Sequence, residues 1–281
     1  MKKKQISVWV NEIPRSIPEG SCLGDVKTKM KPEADILIKN GFPGDPKDII
    51  QKGDSIVLIK KGEIPDPKEL EALLAARHTP GVHKRMKDAV VGVAGLGGLG
   101  STAAISLARM GVGRLILADY DVVEPSNLNR QQFSIKHIGR PKTEALKEII
   151  SQINPNIRVD LHKEMLDKKN IPQIFEKADI ILECFDKTRE KRMIMETVSE
   201  IMPEIFLIGV SGIAGYGRGN EIKSQRLGKN LIVVGDLKSA SEPGRGLMAP
   251  RVGIAANLQA DIAVSLLMDA DKTVQSIPEL E

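Results

Sequence analysis

GLGGLGS, residues 95–101, follows the apolar run Ala89-Val90-Val91-Gly92-Val93-Ala94, and its reading decides the fold. A glycine turn between a strand and a helix leaves backbone N–H groups free at a positive helix N-terminus, which suits an anion. Gly95, Gly97 and Gly100 satisfy G-x-G-x-x-G, a fingerprint of dinucleotide binding, and Gly98 adds another place where backbone can approach a ligand closely. The turn alone leaves the ligand open.

Downstream, apolar strands and helices alternate. Strands are expected at Val90 to Ala94, Arg114 to Ala118, Ile180 to Cys184 and Ile205 to Val210, with helices at Ser101 to Met110, Thr143 to Ile153 and Glu190 to Ile201. That order predicts an α/β fold: a Rossmann-like, mostly parallel sheet with helices on both faces. The second strand ends in Ala118-Asp119-Tyr120-Asp121, which puts the Asp119 carboxylate roughly 20 residues past the turn, where a ribose is held. An oxidoreductase would look the same to this point. It would not be expected to continue with Val123-Glu124-Pro125-Ser126-Asn127-Leu128-Asn129-Arg130-Gln131-Gln132-Phe133 and then Gly139-Arg140-Pro141-Lys142. This block sets an amide, a guanidinium and an ammonium beyond the ribose acid, a set suited to a triphosphate.

The 281 residues carry 41 basic and 37 acidic side chains, a net charge of +4 that disfavours nucleic acid as a partner. Aromatic residues make up 3%, too few for base-stacking platforms. The cysteines, Cys22 and Cys184, form no C-x-x-C pair, so no structural zinc is expected, and a reducing cytoplasmic location fits them best. No apolar run is read as long enough to span a membrane.

Four blocks, GLGGLGS, ADYDVVEPSNLNRQQF, GRPK and ECFDKTREKR, together resemble the ThiF/MoeB family, over about residues 77 to 265. These are bacterial relatives of ubiquitin-activating enzymes that adenylate the C-terminal carboxylate of a β-grasp carrier. The resemblance implies an ATP- and Mg²⁺-dependent adenylyltransferase; many members carry two C-x-x-C pairs for zinc, and their lack here departs from that pattern, so no zinc is expected. Its substrate would be the Gly-Gly terminus of a ThiS-like sulfur carrier, in thiamine biosynthesis, with a downstream sulfur-transfer protein as a further partner. Alternatives are activation of a molybdopterin-type carrier, activation of a tRNA-base carboxyl group, or a non-catalytic nucleotide-binding regulator.

By the same resemblance Asp119 is the ribose ligand, and Gly95, Gly97, Gly98 and Gly100 form the phosphate turn. Asn127, Arg130 and Lys142 contact phosphates, and Asp186 holds Mg²⁺. Arg77 would reach the phosphates from the partner subunit, which implies a homodimer. Simpler roles compete: Lys142 as a solvated first-turn lysine, Asp186 as a helix N-cap, Asp121 and Glu124 as loop-surface acids. Cys184, between apolar neighbours, reads as a small buried hydrophobe. The glycine-rich loop from Gly212 to Arg251 is expected to line the groove for the carrier's tail.

The amino-terminal part reads as a separate small unit. Ile6, Val8 and Val10 alternate, Pro14 to Gly20 turns, Leu23 to Met30 can be a helix, and strands return at Ile36 to Ile38 and Ile56 to Ile59. This resembles the β-grasp of ubiquitin-like sulfur carriers, with Val10-Asn11-Glu12 opening a hairpin and Lys52-Gly53-Asp54 leading into the last strand, giving domains at 1–62 (β-grasp), 63–76 (linker and helix) and 77–281 (adenylating domain). The carboxyl group of Gly62 is consumed in a peptide bond to Glu63, so the unit itself offers no free terminal carboxylate.

Overall fold

The computed structural model describes residues 4–75 and 81–280. The chain divides into two compact units, residues 1–79 and 80–281.

In the first unit β1 (Gln5–Val10), β2 (Ile13–Pro18), α1 (Leu23–Met30), β3 (Ile36–Lys39), β4 (Phe42–Pro43) and β5 (Ser55–Ile59) form a five-stranded sheet in the order β2-β1-β5-β3-β4. β1 and β5 are parallel and the other pairs antiparallel. Ile6, Val8 and Val10 of β1 face a core closed by Leu23 and Val26 of α1, as the alternation requires. The expected turn at Pro14 to Gly20 is corrected: Ile13–Pro18 pairs along the whole of β1. Its prolines are tolerated because β2 is an edge strand. The reversal falls at Asn11 and Glu12, both at positive φ, where the β-grasp resemblance has the hairpin open.

Beyond Gly62, Asp66 caps α2 (Pro67–Ala75), accepting from the amides of Lys68 at 2.9 Å and Glu69 at 3.1 Å. α2 groups with the first unit, where Lys31 pairs with Glu69 at 3.3 Å and with Glu63 at 2.9 Å.

The second unit opens with α3 (Val82–Asp88) and β6 (Val90–Ala94), followed by α4 (Gly98–Arg109), β7 (Arg114–Ala118), α5 (Lys142–Ile153), β8 (Arg158–His162) and α6 (Ile171–Ile174). It continues through β9 (Ile180–Glu183), α7 (Thr188–Ile201), β10 (Phe206–Val210), β11 (Lys223–Arg226), β12 (Leu231–Gly235), α8 (Ala249–Met268) and α9 (Ala270–Ser276). Seven strands lie in the order β11-β12-β10-β9-β6-β7-β8, parallel except for β11. Val91, Val93, Leu115 and Leu117 point to one face, with α4, α5 and α8, whereas Ala94, Ile116, Ala118 and Ile181 point to the other, with α6 and α7. Burial on both faces is why these strands read as unbroken apolar runs. Gly92 keeps room for Phe175, whose ring carbon would lie 2.5 Å from an added Cβ.

Two further corrections follow. The span from 212 to 251 holds β11 and β12, and β12 completes the parallel part of the sheet beside β10. α8 is long and apolar enough in composition to cross a bilayer, contrary to the sequence reading. It packs in the core, with Arg251 and Gln259 buried among its residues.

Candidate active site

The strand order reverses at β6, whose neighbours β7 and β9 lead away to opposite edges. Ligands bind such sheets beyond the carboxyl ends of the strands at this switch point. A cleft of about 900 Å³ opens there, with Gly97, Asp119, Arg130, Lys142, Asp186 and Lys191 among its walls.

The glycines of the turn serve different needs. Gly95 has φ +90°, and a Cβ on Gly100 would sit 1.9 Å from the Gly95 carbonyl oxygen, so both are demanded by the turn and by the packing of α4 on β6. A Cβ on Gly98 would meet Val252 at 2.8 Å and the Arg130 carbonyl at 3.1 Å. At Gly97 nothing lies closer than 3.9 Å, so this is the position with space for a ligand to approach backbone. α4 starts at Gly98, earlier than the expected Ser101, and its unpaired first-turn amides border the cleft.

Asp119 follows β7. One carboxylate oxygen accepts the Leu96 amide at 2.6 Å, the other the Asp121 amide at 2.8 Å. Burial pushes its carboxyl above the ordinary value, against the charge of Lys142 and the two amides. Lys142, the first residue of α5, is 6% exposed, which excludes the reading of a solvated lysine. Its Nζ lies 2.7 Å from Asp121 Oδ2 and 3.9 Å from Asp119 Oδ2. Asp121 is therefore the counter-ion of a buried cation and lines the cleft, more than the surface acid the sequence suggested. Glu124 lines the same cleft.

The NLNRQ block folds as a 3-10 turn over Pro125–Asn127 and the residues after it. Asn127 is buried, and its Oδ1 accepts the Glu124 amide at 3.0 Å. Arg130 donates through Nη1 to the Ser126 carbonyl at 3.2 Å and to Asn129 Oδ1 at 2.9 Å, both neutral acceptors. Gln131, 8% exposed, borders the cleft with an Oε1 that has no partner among the described residues. Such an acceptor takes its partner from water or from a ligand in the cleft.

Asp186 is exposed in the cleft wall after β9 and engages no hydrogen bond or ion pair among the described residues. The N-cap position of α7 belongs to Lys187, so the capping role for Asp186 is set aside. Arg77 lies outside the described residues.

Sequence reasoning missed Glu183 and Lys191. Glu183 is fully buried at the end of β9, and burial raises its carboxyl above the usual range. Lys191 Nζ meets its two oxygens at 3.0 and 3.2 Å and donates to the Val210 carbonyl at 2.9 Å. The pair ties β9, β10 and α7 together beside Asp186. Lys191 looked like one charge among many in the run TREKR; only the fold turns it inward.

Cys184 is 5% exposed, and burial together with the adjacent Glu183 carboxylate pushes its thiol far above the ordinary range. In the native protein Cys22 is expected to react with a maleimide and Cys184 to label only on unfolding, as read by mass spectrometry. Fast native labelling of Cys184 would show a working thiol. Asp236 accepts from Arg251 Nη2 at 2.7 Å, which anchors the start of α8 to the end of β12.

Glycine turn, strand-end acid and buried lysine at a parallel-sheet switch point define a Rossmann-like fold with its cleft at the carboxyl ends of the strands. The chain belongs to the ThiF family, whose model matches residues 71–279, and residues 6–62 match ThiS-like ubiquitin. It is a ThiF-type adenylyltransferase joined to a ThiS-like unit. Molybdopterin-synthase adenylyltransferase of Salmonella typhimurium (strain LT2) is 32% identical over 194 residues, 65% of this chain and 74% of that protein. Sulfur carrier protein ThiS adenylyltransferase of Escherichia coli (strain K12) is 31% identical over 199 residues, 66% and 74% of the two chains. Among solved structures, E. coli tRNA N6-threonylcarbamoyladenosine dehydratase in complex with AMP superimposes with a TM-score of 0.66 at 22% identity. The match covers 75% of this chain and 98% of that one and is a likeness of fold.

Proposed function

We propose that the protein adenylates the C-terminal Gly-Gly carboxylate of a free ubiquitin-like sulfur carrier, with ATP and Mg²⁺, in thiamine biosynthesis. The observation that carries the reading is the convergence of four separated sequence blocks on one cleft, around the open Gly97 backbone and the orphaned Gln131 oxygen. The names of the two relatives support a sulfur-carrier substrate but split between molybdopterin and ThiS. The ThiS-like segment at 6–62 supports the thiamine side.

In this reading a carrier carboxylate oxygen bonds to the α-phosphorus of ATP. The bond from that phosphorus to the bridging oxygen breaks, and pyrophosphate departs with the electron pair. Asp119, fixed by two backbone amides, holds the ribose hydroxyls, and the amides of the glycine turn receive the α-phosphate. Arg130 and Lys142 bring positive charge to oxygens whose negative charge grows as pyrophosphate leaves. Asp186, an unpaired hard-oxygen donor in the cleft, fits Mg²⁺, which when bound supplies Lewis-acid charge to the phosphates. The enzyme acts as a cytoplasmic homodimer, and a separate protein delivers sulfur to the activated carrier.

The test is ATP–pyrophosphate exchange with purified carriers. Exchange is expected only with a free carrier ending in Gly-Gly, and faster with a thiamine-type than with a molybdopterin-type carrier. Exchange that needs tRNA instead, or no exchange with any carrier, would overturn the reading.

A further inference from the structure

We propose that Asp121 parks Lys142 and competes with the triphosphate for it, so that nucleotide affinity is set by exchanging one anion for another. This rests on the reading of the cleft as an ATP site in which Lys142 meets phosphate.

The two acids around Lys142 are not equivalent. Asp119 has a side chain 8% exposed, with both oxygens engaged by backbone amides, and stands 3.9 Å from the ammonium. It cannot leave. The Asp121 side chain is 48% exposed and touches Nζ at 2.7 Å, and Lys142 is its carboxylate's one partner among the described residues. Its backbone is fixed at both ends, N–H to Asp119 and carbonyl to the Lys142 amide at 3.0 Å, so only the carboxylate is free to swing into water.

A lysine this buried needs an anion at hand, because an uncompensated charge away from water is costly. Asp121 supplies one while the cleft holds no nucleotide. An entering phosphate must displace it, since two anions crowding one ammonium repel each other. Arg130 needs no such exchange: its recorded acceptors, the Ser126 carbonyl and Asn129 Oδ1, are neutral. Asp121 is thus a positioning residue acting through Lys142, and its charge weakens ground-state binding of the substrate.

The experiment is calorimetric binding of a non-hydrolysable ATP analogue and of adenosine to the full chain and its variants. Asp121→Asn keeps a hydrogen-bond acceptor for Lys142 and removes the charge. It is expected to tighten the analogue by about two- to fivefold, the scale of a half-exposed ion pair, while adenosine binds as before. Asp121→Ser should tighten it likewise, and Asp121→Glu should bind like the parent. In a Lys142→Ala background the Asp121→Asn change should have no effect on analogue binding. Unchanged or weaker analogue binding by both neutral variants, with Lys142→Ala still weakened, would overturn the parking role and leave the ATP-site reading standing. Parental binding by Lys142→Ala would overturn the phosphate role of Lys142 and the proposal with it.

Discussion

Replacing Lys142 or Arg130 with alanine is expected to lower carrier-dependent ATP–pyrophosphate exchange by about 10² to 10³, the range for loss of one preorganised charge stabiliser. Both side chains border the cleft. Lys142 stands at the first position of α5, and Arg130 leans back on the carbonyl of Ser126. Neither must reorganise far when charge develops on the phosphates, so the loss should fall mainly on kcat for Arg130 and on both nucleotide affinity and kcat for Lys142. Lys142→Arg should recover little, because a guanidinium is wider than an ammonium and the lysine side chain is only 7% exposed beside two carboxylates. Steady-state exchange at saturating carrier measures the effect. Parental rates in both alanine variants would remove these residues from the chemistry while leaving the fold untouched.

The second large effect is on stability. Lys191→Met strips the partner from a carboxylate that is 0% exposed, and breaking a buried pair from one side costs about 3 to 5 kcal/mol. The value should fall at the lower end. Burial already raises the Glu183 carboxyl, so it can take up a proton once Lys191 is gone, and the amides of Phe185 and Val210 still reach its oxygens. Glu183→Leu combined with Lys191→Met should recover most of the loss, since an apolar pair leaves no charge to compensate. Urea unfolding of the second unit, with hydrogen exchange at the β9 and β10 amides, reads both variants. A loss under about 1 kcal/mol for Lys191→Met would show that solvent, not Glu183, carries that ammonium.

The fold of the second unit was legible where strands are buried on both faces. Val90–Ala94 and Arg114–Ala118 sit in the middle of the sheet and read as continuous apolar runs with their boundaries intact. β12, Leu231–Gly235, is as apolar as these but lies inside the glycine-rich span and was missed. β8 and β11 were not legible. They are edge strands, and Lys223-Ser224-Gln225-Arg226 is polar along its length because an edge strand can stay hydrated on one side. β2 was misread for a related reason. Proline signals a turn locally, and only its place at a sheet edge makes Pro14 and Pro18 compatible with pairing.

The site divides along the same line. Gly95, Gly97, Asp119, Asn127, Arg130, Lys142 and Asp186 were named from short motifs because each motif is a local device: a turn, a strand end, a helix start. Such devices are specified by neighbours in the chain, and the sequence by itself determined both them and the family. What pairs with what was decided only by the tertiary structure. Asp121 and Lys142 are 21 residues apart, Glu183 and Val210 27 apart, and Cys184 and Gln259 75 apart, and no local pattern marks them as partners. The folded sheet brings the carboxyl ends of β6, β7, β9 and β10 to one rim. Burial there takes Lys142 and Glu183 out of water, and Asp121 and Lys191 become their obligatory neighbours.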